Sequence, residues 1–224
     1  MIQLRSFLAL FFAGLILMAC EETPTAADTE FSDWQARNIS FFREKMREAD
    51  TSIRLAKQQY GEAWEAHCNW RILPNYAANA GSKAPALDSI CAEVIEQGSG
   101  SGSPLFSDYV RVQYLQKLIP SASYPTGRIV AHSGYSVSPD DIFSPTYGAT
   151  FLRPVSNHAL VESTNPTIAG ETTAYMHMRI GDHWRIYSPY TLARGPKEAT
   201  NVPAYSTLIS EVRLTAYYRN GEAE

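Results

Sequence analysis

Apolar and polar residues alternate most clearly towards the end of the chain. In residues 183–188, Trp184, Ile186 and Ser188 fall on one face, and in 208–216 Leu208, Ser210, Val212, Leu214 and Ala216 do the same. A period of two with one apolar face predicts half-buried strands. Residues 109–118 follow the same rule, with Val110, Val112, Tyr114, Gln116 and Leu118 opposite Arg111, Gln113, Leu115 and Lys117. Residues 88–97 predict another strand. Shorter strand-like pieces begin at Cys68 (C-N-W-R-I-L), Arg128 (R-I-V-A-H-S) and His158 (H-A-L-V-E-S), broken by proline and glycine. The glycine–serine run 98–103 lies between two strands and reads as a tight connection, whereas 74–85 is a loop of small residues.

Two helices interrupt this pattern. Residues 31–60 carry Trp34, Phe41, Phe42, Met46, Ala49, Ile53, Ala56 and Tyr60 on a broad apolar face. Ser32 with Gln35 suggests a capping box, and Phe31 a hydrophobic staple. Residues 169–178 predict a short helix with Ala174, Tyr175 and Met178 on one side. The order of elements gives an α+β fold: an antiparallel sheet with one short helix crossing it, preceded by an N-terminal helix.

The first 19 residues combine Arg5, an apolar run from Phe7 to Met18 and the lipobox Leu17-Met18-Ala19-Cys20. The run is too short for a membrane span of about 20 residues, so 1–19 is expected to be a lipoprotein signal peptide. Cys20 would then be the acylated terminus, and 20–30 a polar tether. Glu21 and Glu22 follow it, and an outer-membrane destination, on either face, is the expectation. The rest divides into a helical extension and loop (31–86) and a main domain (87–220). The net charge of −4 shows no basic stripe, so nucleic acid is not expected as a partner. Of the three cysteines, Cys68 and Cys91 remain after processing. In an exported compartment they form either a disulfide or two buried thiols.

Familiar catalytic signals are missing. The sequence holds no H-E-x-x-H, C-x-x-C or G-x-S-x-G, and its five histidines lack ligand spacing. No metal or other cofactor is expected.

Several longer motifs remain. They are V-R-V-Q-Y-L-Q-K-L at 110–118, I-P-S-A-S-Y-P at 119–125, G-D-H-W-R-I-Y at 181–187 and V-P-A-Y-S-T-L-I at 202–209, with W-Q-A-R-N at 34–38. Together they resemble the FKBP-type peptidyl-prolyl cis-trans isomerases, in particular exported lipoprotein members, over roughly 90–218. The resemblance implies a half-barrel sheet wrapped on the short helix. It also implies a pocket at Tyr114, Ile168 and Val202, whose types it retains. Five other pocket positions are substituted. Glu171 replaces the aromatic floor, Arg194 the tyrosine that bonds the substrate carbonyl, and Ser210 a phenylalanine. Val130 and Ala131 replace a Phe-Asp pair. Glu171 and Arg194 are expected to pair with each other or to reach water, because a lone buried charge is costly. The remaining aromatic wall belongs somewhere in 150–162.

Rotation about an X-Pro bond needs no acid, base or metal. It has a barrier of about 18–20 kcal/mol, and a dry aromatic cavity favours the twisted, less conjugated amide. Three functions are compatible with these residues. The chain is a weakly active or inactive isomerase-like module that binds a proline-containing polypeptide or an envelope protein. Alternatively it is a competent folding catalyst, or a structural subunit of an outer-membrane complex. The polar pocket residues favour the first.

Overall fold

A computed structural model describes residues 30–77, 87–134, 138–144, 148–155, 167–219 and 221–222. The expected signal peptide and lipidated Cys20 lie outside the described residues, as do the strand-like piece at 158–163 and most of the tether and the 74–85 loop. Asp33–Glu224 forms one compact unit. Among the described residues, no helix is long and apolar enough to cross a membrane.

Helix α1 (Trp34–Tyr60) buries Trp34, Asn38, Phe42, Ala49 and Ala56, spaced by whole turns. Its N-cap is Asp33, not Ser32; Asp33 is left-handed, with φ 51°, and makes no side-chain cap bond. Gly61 ends the helix at φ 56°, a conformation glycine adopts without strain. A 3₁₀ turn, Gly61–His67, follows.

Seven strands form one antiparallel sheet among the described residues. They are β1 (Trp70–Pro74), β2 (Ser89–Glu96), β3 (Tyr109–Lys117), β4 (Ile129–His132), β5 (Phe151–Pro154), β6 (His183–Ser188) and β7 (Leu208–Tyr218). The order is β1-β2-β6-β7-β3-β4, and β5 also pairs with β3. Helix α2 (Ala169–Tyr175) lies on one face and α1 on the other. This is the expected α+β class, with the N-terminal helix and the antiparallel sheet in place.

Side-chain parity divides the core between the two faces. Ile90, Ala92, Trp184, Ile186, Val212 and Leu214 point to the α2 side and pack with Ala174, Tyr175 and Met178. Cys91 and Tyr187 point to the α1 side and pack with Trp70, Phe42 and Ala49. Each fully buried large apolar side chain stabilises the fold by about 1.5–3 kcal/mol. Polar bonds fix the start of α1. Trp34 Nε1 donates to Ser206 Oγ at 2.9 Å, and Thr207 N donates to Asn38 Oδ1 at 2.7 Å. The W-Q-A-R-N and V-P-A-Y-S-T segments, far apart in sequence, thus meet.

Cys68 and Cys91 are both free thiols. Cys91 stands opposite Ile72 in the β1–β2 register, four residues beyond Cys68. Four residues of extended chain span roughly 13 Å, well past the 7 Å limit for a bridge.

Candidate functional site

The site is built from β3, β4, β5, β7, α2 and the loop between β6 and β7. Helix α2 reads A-G-E-T-T-A-Y, and Gly170 through Tyr175 are all buried. Gly170 permits its close approach to the sheet: a Cβ there would lie 2.1 Å from Ser188 Oγ. Thr172 Oγ1 donates to the Val155 carbonyl at 2.7 Å and ties the helix to the segment after β5.

Glu171 leaves the first turn of α2 towards the sheet and is fully buried. Gln116 on β3 and Ser210 on β7 face each other in register. Both donate to the same carboxylate oxygen, Oε1: Gln116 through Nε2 in a short bond, and Ser210 through Oγ at 2.9 Å. The other oxygen, Oε2, lies 3.0 Å from an Arg153 guanidinium nitrogen, with side-chain exposures of 1% and 0%. This contact is ionic but not aligned as a hydrogen bond, since Oε2 has charge opposite it and no directed donor. Arg153 also stacks over the Tyr114 ring at 4.8 Å and reaches the Tyr175 hydroxyl at 3.4 Å. Phe151 meets Tyr114 edge-on at 6.2 Å.

The charges determine how these groups titrate. Burial alone would lower the Arg153 pKa, but the Glu171 carboxylate outweighs it and holds the guanidinium charged. Burial pushes the Tyr175 hydroxyl up, aided by Glu171 and opposed by Arg153. Arg194 is pushed down by burial and by Arg153, with Glu171 opposing. It remains a cation, as arginine does throughout the accessible pH range.

Above this polar knot opens a cleft of about 390 Å³, lined by Tyr114, Gln116, Val130, Ala131, His132, Arg194, Ala199, Thr200, Asn201 and Val202. Five of the expected pocket residues therefore line one cavity: Tyr114, Val130, Ala131, Arg194 and Val202. Ile168, the N-cap of α2, lines a smaller neighbouring cavity of about 230 Å³, together with Arg194. Glu171 and Ser210 lie beneath the cleft with no exposure. One expectation is corrected. Glu171 neither reaches water nor pairs with Arg194; its partner is Arg153, and Arg194 acts on it only through longer-range charge.

Arg153, Gln116 and Phe151 are the members that the sequence reading did not assign to the site. Gln116 already sat on the apolar face of its strand, a polar residue at a core position. Arg153 and Phe151 fall in the expected wall segment, where F-L-R-P offers one aromatic and one charge. Their pairing with β3 places both beside Tyr114. Among the described residues, no group of three or more His, Cys, Asp or Glu could hold a metal.

No family model matches the chain, and no curated protein matches it. Solved structures do. A peptidyl-prolyl cis-trans isomerase from Pseudomonas syringae is 20% identical over 76% of this chain and 96% of its own, with a TM-score of 0.43. FkpA from Escherichia coli is 20% identical over 84% of this chain and 70% of its own, with a TM-score of 0.44. The structure of the three FKBP domains of wheat FKBP73 is 19% identical over 58% of this chain and 46% of its own, with a TM-score of 0.41.

Proposed function

We propose that this chain is an FKBP-type, prolyl-isomerase-like module of the bacterial cell envelope. It is held at the outer membrane through lipid on Cys20, and it binds a proline-containing stretch of polypeptide while catalysing its isomerisation poorly. One observation carries the reading: the Arg153–Glu171 ion pair occupies the floor under Tyr114, where the resemblance calls for an aromatic ring. A ring there would bury about 150–250 Å² of apolar surface. No ring fills that place: the buried pair lies beneath the cleft, and a lining that includes Gln116, His132, Arg194, Thr200 and Asn201 loses much of the preference for the twisted amide. Gln116 and Ser210 both donate to Glu171 Oε1 and hold the carboxylate in that place.

A competent isomerase is the second reading, favoured by the retained Tyr114–Phe151 aromatic pair at the cleft wall. Two measurements on one sample separate the readings. A capped proline tetrapeptide should shift the NMR signals of Tyr114 and Val202, while a coupled isomerisation assay stays near the uncatalysed rate of tens to hundreds of seconds. Rapid turnover abolished by Tyr114→Phe would establish the second reading. Absence of any peptide-induced shift would remove both.

A further inference from the structure

The smaller cavity of about 230 Å³ adjoins the cleft, and Arg194 lines both. Its other walls are Tyr76, Thr167, Ile168, Ala169, Thr172 and Ala193. Thr167 Oγ1 donates to the Pro154 carbonyl at 2.8 Å, and Thr172 Oγ1 to the Val155 carbonyl at 2.7 Å. Each hydroxyl has one proton, so neither threonine has a donor left for a ligand. With Ile168, Ala169 and Ala193 they make a largely apolar lining. Tyr76 completes it from outside the main domain. It lies in the connection between β1 and β2, within the 31–86 extension. Its residue is 38% exposed, yet it is held in place. Its backbone N–H donates to Thr173 Oγ1 on α2 at 3.2 Å, and Phe106 lies against its ring with centroids 5.2 Å apart. A ring fixed before a ligand arrives loses little freedom on binding, and covering its exposed surface is favourable.

Resting on the proline-binding reading above, we infer that this second cavity is a subsite for an apolar side chain on a residue next to the proline, and that Tyr76 sets the preference. A polypeptide with its proline in the cleft carries the next Cα only about 3.8 Å further along. Because one residue, Arg194, lines both cavities, that step brings the neighbouring side chain to the second one. The binding site is then composite. The cleft belongs to the main domain, whereas the wall that selects the neighbouring residue comes from the N-terminal extension. A polar side chain placed there would give up water without gaining a donor from either threonine, so the cavity discriminates against it.

The test uses pentapeptides with a central proline, a neutral dye, and acetylated and amidated ends. One series varies the residue before proline and the other the residue after it, each through Ala, Leu and Gln with glycine elsewhere. Binding to the mature chain is measured by anisotropy. In at least one series the Leu peptide should bind roughly tenfold more tightly than the Ala and Gln peptides. The series that shows the gain gives the direction of the bound chain. Tyr76→Ala should bring the Leu-to-Ala ratio close to one, whereas Tyr76→Phe, which keeps the ring, should preserve it. In the unmodified chain the Leu peptide should shift the NMR signals of the Ala169 and Thr172 methyl groups further than the Ala peptide does, a readout that survives if a variant misfolds. Equal affinity for Ala, Leu and Gln in both series overturns this inference alone, as does a Leu preference that Tyr76→Ala leaves unchanged. Failure of every peptide to bind overturns the proline-binding reading and this inference with it.

Discussion

Replacing Glu171 by glutamine removes one charge from the knot and keeps its shape. The amide oxygen can still accept from Gln116 and Ser210, but Arg153 loses its counter-charge in a site with 1% exposure. Two unit charges 3.0 Å apart attract by roughly 5 kcal/mol at an effective dielectric of about 20. Stranding one partner of a buried pair costs about 3–5 kcal/mol in practice. For a domain of this size each kcal/mol lowers the melting temperature by about 2–4 °C, so Glu171→Gln should lower it by roughly 6–20 °C. The double variant Glu171→Gln with Arg153→Met removes both charges at similar volume and keeps an oxygen to accept from Gln116 and Ser210. It should recover most of that loss, because no charge is then left stranded in the buried site. Calorimetry of the single and double variants decides the matter. A single variant within about 1 kcal/mol of wild type, or a double variant no better than the single, would refute the buried-pair account.

Three other outcomes follow from the packing. Asn38→Ala leaves the buried Thr207 N–H without its acceptor, so urea unfolding should show a loss of about 1–3 kcal/mol. The anchor next to the cleft-lining 199–202 loop should loosen with it, seen as faster amide exchange there. Burial pushes the Cys91 thiol up to about 12; in a Cys20→Ser chain at pH 8, iodoacetamide should therefore modify Cys68 well before Cys91. Equal rates at the two thiols would contradict that burial. Burial alone would raise the Glu211 carboxyl, but hydrogen bonds from His183 and Arg185 outweigh it and hold the carboxyl low. Its contribution is present above the unfolded value of about 4.3 and is lost as pH falls through the lower folded value. Glu211→Gln should therefore flatten the drop in melting temperature on the acid side, and an unchanged acid limb would speak against it.

Most of the scaffold was legible because strand parity and core burial coincide. Val110, Val112, Tyr114, Gln116 and Leu118 share a face in sequence and are all buried in the structure, although Gln113 and Leu115 on the opposite face are buried too, Gln113 donating to the Ser144 and Gly148 carbonyls. The same holds for Leu208, Ser210, Val212 and Leu214. The first cap of α1 was less legible, since Asp33 begins the helix from a left-handed backbone without a side-chain bond. In the site, the motifs marked Glu171, Arg194 and Ser210 as substituted, but motif spacing says nothing about which charges meet. Arg194 lies on a loop and Arg153 on a short strand beside β3. Only the β3–β5 pairing, a long-range contact, brings the second arginine under Tyr114. Gln116 was visible as a polar residue on an apolar face, a signal that it needed a partner.

The central claim is that an ion pair stands where a catalytic cavity needs a ring. It is tested most directly by the chymotrypsin-coupled isomerisation rate of a proline tetrapeptide with two proteins: the mature wild type, and a variant carrying Glu171→Trp, Arg153→Phe, Ser210→Phe and Arg194→Tyr. Arg153 must change with the others, because Glu171→Trp alone would strand its charge. The expected result is a wild-type rate close to the uncatalysed one and a clear acceleration by the variant. Efficient catalysis by the wild type, with none added by the four changes, would contradict the claim.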